Sequence, residues 1–209
     1  MWILVLFIVI FIWDIINIKN KNKKGRYFSK SLLMPILIVY YITAAKHISI
    51  YVIAALAAGF LGDVFLLNER KPLYLELGIA SFMAGQIFYI TSFIKASAGI
   101  NQIPLWCLIF LIPYVLYGVY NYRILRNKLG AMKIPAIVYF AVLILMSFTC
   151  LAVLVSGKTQ LIPAFIGSLL FVASDTILAY NIFSSEKEYA DIYIMSTYAA
   201  AQLLIVLGM

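Results

Sequence analysis

The sequence predicts an all-α, polytopic membrane protein of eight transmembrane helices. Three observations carry that reading. The 209 residues are 65% hydrophobic and 11% charged, with a mean hydropathy of +1.03, more apolar surface than a soluble domain of this size can bury. The apolar residues fall into eight runs separated by short polar or basic stretches, and runs of such length read as helices crossing a bilayer. Lys and Arg load alternate loops heavily and lightly, as successive crossings require.

The first span covers about residues 2–18 and carries Asp14 near its end. No basic region precedes it and no small-residue cleavage site follows, so it is expected to be a retained helix rather than a signal peptide. A basic loop holds Lys19, Lys21, Lys23, Lys24, Arg26 and Lys30. The second span, 31–45, is short, with Pro35 expected in its first turns, where a missing N–H costs least. Lys46 and His47 turn the chain into the third span, 49–67. Asn68, Glu69, Arg70 and Lys71 close it, and Pro72 starts the fourth, 73–94. A polar, glycine-containing loop at 96–103 leads to the fifth span, 104–122, where Pro113 is a candidate kink. A loop with Arg123, Arg126, Lys128 and Lys133 precedes the sixth span, 134–155. Residues 157–160 turn the chain into the seventh, 161–183, and a charged stretch at 184–191 precedes the eighth, 192–208. One membrane domain over 1–209 is expected.

The net charge of +8 suggests nucleic acid only until the helices are placed. In a membrane protein the basic residues gather in cytoplasmic loops and set orientation, so the expected partner is the lipid bilayer and not nucleic acid. The loops after spans 1, 3, 5 and 7 hold 13 Lys and Arg and the other three hold 3. Both termini are therefore expected outside the cell membrane, with the 19–30 loop in the cytoplasm. Cys107 and Cys150 lie inside apolar runs, where packing is the expected role.

Asp63 is the only charge between Ser49 and Leu67. An ionisable group within such a helix costs roughly 2.5–3.5 kcal/mol on insertion scales, so it is expected to face the bundle interior and to serve function. Ala55 and Gly59 share its face at helical spacing, a small-residue stripe suited to close packing. A second segment repeats the pattern: Gly62-Asp63-Val64-Phe65-Leu66 aligns with Ser174-Asp175-Thr176-Ile177-Leu178. The next helices match as well, Ala84-Gly85-Gln86-Ile87 with Ala200-Ala201-Gln202-Leu203. These matches suggest parallel repeats in halves 1–94 and 104–209, with an axis along the membrane normal and two Asp–Gln pairs facing one cleft. The two carboxyls are then expected within roughly 10 Å of one another, as in paired hydrolytic carboxylates. Asp63 and Asp175 each precede a terminal asparagine, Asn68 and Asn181, by five or six residues. At ~1.5 Å per residue they lie roughly 8–9 Å below the inner surface.

Other polar residues carry weaker signals. Gln86 and Gln202 suit interhelical bonding as well as ligand contact, with Tyr89 and Tyr198 within reach on the same helix faces. Asp14 and Glu76 lie nearer the headgroups, where a solvated acid is ordinary. His47, the single histidine, sits in an outer turn. The sequence has no metal-ligand spacing, no serine elbow and no phosphate-cradling glycine loop. No metal or cofactor is expected, and the chemistry falls to carboxylates.

Taken together, several motifs resemble the YhhN family, the bacterial counterpart of the vertebrate transmembrane lysoplasmalogenases. They are Gly62-Asp63; Phe82, Gln86 and Tyr89; Gly167, Phe171, Ser174-Asp175 and Leu178-Ala179; and Tyr198 with Gln202-Leu203. Lys30 ahead of Pro35 is similar to the family's basic residue at the start of the second helix. Many members carry His where this chain has Gln86, so a role resting on that histidine does not transfer. The resemblance implies hydrolysis of the vinyl ether of a lysoplasmalogen, a lysophospholipid, to a fatty aldehyde and a glycerophospho-headgroup. It implies Asp63 and Asp175 as catalytic residues, with Lys30, Gln86, Tyr89, Ser174, Tyr198 and Gln202 toward the substrate.

The chemistry suits these residues. Protonating the β-carbon of a vinyl ether makes an oxocarbenium-like cation, to which water adds. As in glycoside cleavage, one protonated acid and one carboxylate serve that path. Two acids sharing a low-dielectric cleft do not both ionise cheaply, so one is expected to hold a proton. A proton- or cation-coupled transporter is the competing reading, since such carriers also place acids on repeat-related helices. Both acids lie toward one leaflet, which favours the hydrolase.

Overall fold

The computed structural model describes residues 2–68, 71–97, 103–184 and 187–209. Glu69 and Arg70, residues 98–102 of the glycine-containing loop, and Ser185 and Glu186 of the charged stretch lie outside the described residues. Within them the chain forms eight α-helices: α1 (Trp2–Lys19), α2 (Lys23–Ala44), α3 (Ile50–Leu66), α4 (Pro72–Ala96), α5 (Leu111–Leu125), α6 (Lys133–Val155), α7 (Ile162–Phe183) and α8 (Ala190–Leu207). Short 3₁₀ turns at Leu105–Phe110, Gly130–Met132 and Thr159–Leu161 lead into α5, α6 and α7. Among the described residues, seven helical segments are long and apolar enough to cross a membrane. The eighth, α3, has 17 residues, at the short end of the spanning range. The chain is a multi-pass membrane protein.

Two compact units divide it, Met1–Phe88 and Tyr89–Met209. In the first, α1 packs on α2 and α2 on α3. The inner face of α2 carries Leu33, Met34, Leu37 and Tyr41 at helical spacing, all essentially inaccessible. Outward faces stay apolar, as on α1 with Val5, Ile8, Val9, Ile12 and Ile16 exposed, because lipid is as good a solvent for them as protein. In the second unit, α7 and α8 form the most extensive helix pair, with α6 against α7 and α5 against α6. Leu143, Met146, Phe171, Ala201 and Ile205 make its interior.

Three expectations are corrected. The basic stretch 23–30 is helix, so α2 starts eight residues before the predicted boundary. Asn22 caps it, its side chain accepting from the Gly25 N–H at 3.1 Å, and Lys and Arg are good helix formers. Pro35 consequently sits inside α2 rather than in its first turns, a placement that membrane helices tolerate. At α5 the break is a change from 3₁₀ to α geometry at residues 110–111, ahead of Pro113. Pro113 then occupies the first turn of α5, where proline is best tolerated.

Glycines set close approaches between helices in both units. In the first unit a Cβ on Gly62 would lie 2.7 Å from the Phe82 ring, and one on Gly85 3.1 Å from the Ala55 carbonyl oxygen. In the second, a Cβ on Gly167 would lie 2.6 Å from the Ala201 carbonyl oxygen. Gly157, with φ of +105°, makes the turn between α6 and α7 that a residue with a Cβ rarely adopts.

Candidate functional site

Asp63 is 1% exposed on α3. Its Oδ1 lies 3.4 Å from Nζ of Lys30, itself buried on α2. The pair follows from local sequence. Gly62 admits the Phe82 ring beside the acid, and Leu33, Met34 and Leu37 bury the α2 face that carries Lys30. Taking two charges out of water is expensive, and a close opposite charge offsets part of that cost. Gln86, on α4, is completely buried within the same unit.

A second polar cluster surrounds Asp14. This acid is fully buried, which corrects the expectation of a solvated headgroup-level residue. Ser29 Oγ donates to Asp14 Oδ1 at 2.6 Å, and Asn17 Nδ2 donates to Ser29 Oγ at 3.3 Å. Asn22 Nδ2 in turn donates to Asn17 Oδ1 at 3.1 Å. Gly25 makes room, since a Cβ there would lie 2.2 Å from Asn17 Oδ1. Ser29 and Lys30 are neighbours, so one turn of α2 engages two acids, Asp14 from α1 and Asp63 from α3. Glu76 and His47 are exposed.

In the second unit Asp175 is 6% exposed on α7. Its Oδ2 accepts from the hydroxyl of Tyr139 on α6. Ser174 Oγ donates to the Ile194 carbonyl at 3.0 Å, fastening α7 to α8. Tyr198 is buried edge-on against Phe171, with ring centroids 5.6 Å apart at 81°. Tyr89 donates its hydroxyl to Gln202 Oε1 at 2.6 Å, and both side chains are about 1% exposed. The structure thus joins Lys30 to Asp63 and Tyr89 to Gln202, and sets Ser174 and Tyr198 in the α7–α8 contact. Chemically, the two units each offer an enclosed carboxyl held by a side chain from another helix, able to exchange protons or stabilise a cation.

A model of the YhhN family matches residues 25–209. The chain belongs to the YhhN family. It is 32% identical over 156 residues to lysoplasmalogenase TMEM86B of Homo sapiens, covering 74% of this chain and 61% of that protein. Lysoplasmalogenase TMEM86A of Bos taurus is 28% identical over 152 residues, covering 71% and 60%. The mouse (Mus musculus) TMEM86B lysoplasmalogenase is 30% identical over 155 residues, covering 74% and 61%. The chain spans about three-fifths of the length of the relatives it matches. No solved structure matches it.

Two parts of the polar interior carried no usable sequence signal. Tyr139 is one of 15 tyrosines, most of which interfacial anchoring would explain. Ser29 lies within the 19–30 stretch read as loop, Asn17 just ahead of it, and the serine that engages Asp14 is 15 residues away from it. A helical reading of 23–30 would have put Ser29 and Lys30 on the inward turn.

Proposed function

We propose that this YhhN-family protein is a membrane-embedded hydrolase. It cleaves the vinyl ether of lysoplasmalogen-like lysophospholipids, using Asp63 and Asp175. The observation that carries the reading is the enclosure of both carboxyls, each held by a side chain from another helix. Enclosed carboxyls are what a path through protonated alkene and oxocarbenium needs, and hydrolases of this logic use two. The name lysoplasmalogenase on relatives near 30% identity supports the substrate class.

Products are a fatty aldehyde and a glycerophospho-headgroup, with one water consumed. Lys30, Gln86, Tyr89, Ser174, Tyr198 and Gln202 are the residues proposed to set the substrate in place, directly or by fixing the helices around it. The matching close approaches, Gly85 at Ala55 and Gly167 at Ala201, support two copies of one helical hairpin. The basic residues support a plasma-membrane orientation with both termini outside. A cysteine placed at Lys23 is then labelled only from the cytoplasmic side.

The test is aldehyde release by the purified full chain in detergent. A 1-alkenyl lysophosphatidylethanolamine is compared with its saturated 1-alkyl counterpart. Turnover of the alkenyl lipid alone is expected. Silence on both, with proton flux in liposomes, would replace the hydrolase by the transporter.

A further inference from the structure

The turn between α1 and α2 gathers positive charge that no described residue neutralises. Lys19 ends α1 and Lys23 opens α2, with residues 20–22 between them. Lys19, Lys21, Lys23 and Lys24 are all exposed. Among the described residues, none of these four ammonium groups makes an ion pair or a hydrogen bond. Asp14, the acid closest to them in sequence, is fully buried and accepts from Ser29. The first turn of α2 holds no acid.

Membrane orientation alone asks for less than this. The positive-inside bias depends on how many Lys and Arg a loop carries, not on where in the turn they stand. Three of these lysines occupy costly places. Lys21 has a φ of +53°, and among the described residues it is the one non-glycine with positive φ. Its N–H donates to the Ile18 carbonyl at 3.0 Å, and the Asn22 N–H donates to the Asn17 carbonyl at 2.9 Å. These two bonds close α1 with a left-handed residue, a place where glycine or asparagine is usual. Asparagines flank it on both sides, Asn20 and Asn22, yet the left-handed position itself is a lysine. Lys23 and Lys24 stand at the start of α2, where the helix dipole disfavours cations. The turn is also preset: Asn22 caps α2 and bonds Asn17, which bonds Ser29.

The same geometry says what can reach the lysines. Both α1 and α2 are long and apolar enough to cross a membrane. A connection as short as residues 20–22 keeps its side chains at headgroup level. Tyr27, 42% exposed on the next turn of α2, is of a type enriched at that depth.

We propose that the α1–α2 turn is a docking surface for anionic phospholipid headgroups, with Lys19, Lys21, Lys23 and Lys24 facing their phosphates. Basic clusters of this size beside a spanning helix attract acidic lipids, and a preset turn spares the cost of ordering on binding. The inference is independent of the hydrolysis, because it concerns the lipids around the protein and not the one proposed to be cleaved.

A thiol dye on Asn20→Cys reads the lipids at the turn, since Cys107 and Cys150 are buried. The full chain is reconstituted in phosphatidylcholine vesicles carrying a trace of chain-spin-labelled phosphatidylglycerol or, in parallel, chain-spin-labelled phosphatidylcholine. Both leaflets have one composition, so the orientation of the chain does not enter. Phosphatidylglycerol is expected to quench the dye as if enriched about fivefold at low salt, a fraction of what four juxtamembrane lysines can supply. At about 1 M salt, where the screening length is ~3 Å, the ratio is expected to fall close to one. Replacing all four lysines by glutamine is expected to do the same at low salt. Lys21→Asn is expected to lower the enrichment while raising the melting temperature by about 2–4 °C, because asparagine suits the left-handed backbone. That single variant carries the test if the fourfold one does not fold. A ratio close to one in the wild type, or an enrichment that survives the lysine substitutions, overturns the proposal. Loss of the enrichment in millimolar inorganic phosphate also overturns it, since the turn would then hold a soluble anion rather than a lipid surface.

Discussion

The α3–α4 contacts of the first unit and the α7–α8 hairpin of the second repeat one close approach with the glycine exchanged between partners. Ala55 and Gly167 each stand eight residues before an aspartate, and Gly85 and Ala201 each stand one residue before a glutamine. In both units a Cβ added to the glycine would crowd the alanine's carbonyl oxygen, but the glycine is on opposite partners. Gly62 and Ser174 directly precede the two aspartates. Gly62 approaches Gly78 through its carbonyl, 3.7 Å from where a Cβ would stand, and Ser174 bonds the Ile194 carbonyl, at the corresponding place in α8. Among the contacts described, Asp63 pairs with the Lys30 ammonium and Asp175 accepts from the Tyr139 hydroxyl. Close packing recurs within each hairpin.

Substitutions can break this comparison at decreasing cost. The largest effect is expected at Lys30→Met, which leaves a buried carboxylate without its cation and should destabilise the protein by about 3–5 kcal/mol. Adding Asp63→Asn should restore much of the loss, as read by denaturant unfolding in mixed micelles. A Lys30→Met variant as stable as wild type would mean that the ion pair is not what holds Asp63. Gly167→Ala comes next, at about 1–3 kcal/mol for forced overpacking against backbone. Gly85→Ala, whose approach is looser, should cost about 1 kcal/mol or less. The reverse order would contradict the tighter approach at Gly167. The smallest effect is expected at Ser174→Ala, about 0.6 kcal/mol, typical of an interhelical polar bond in a membrane. Thermal melting of that variant should match wild type closely while the lysine variant melts early.

The legible parts of the sequence were those with local physical causes. Apolar length gave the helices, and Asp63 stood out because no other charge shares its run. Asp175 followed from the same small-Asp pattern. The start of α2 was missed because Lys23, Lys24 and Arg26 are equally at home in a cytoplasmic loop and in a capped helical turn. That boundary hid the partners of Asp14, and with them its burial. Tyr139 was out of reach for another reason: its role depends on which face of α6 meets α7, and an all-apolar helix has little periodicity to reveal it. Lys30 entered only through family resemblance, since a lysine in a basic stretch says nothing by itself about pairing.

The central claim is that turnover requires both buried aspartates. Aldehyde release from a 1-alkenyl lysophospholipid, measured on wild type beside Asp63→Asn and Asp175→Asn, tests it most directly. Each variant is expected to fold, because asparagine keeps the volume and the hydrogen-bonding capacity. Each is expected to lose ~10²–10⁴-fold in kcat, the usual contribution of general acid–base catalysis. A folded variant of either aspartate that turns over at the wild-type rate would contradict the account.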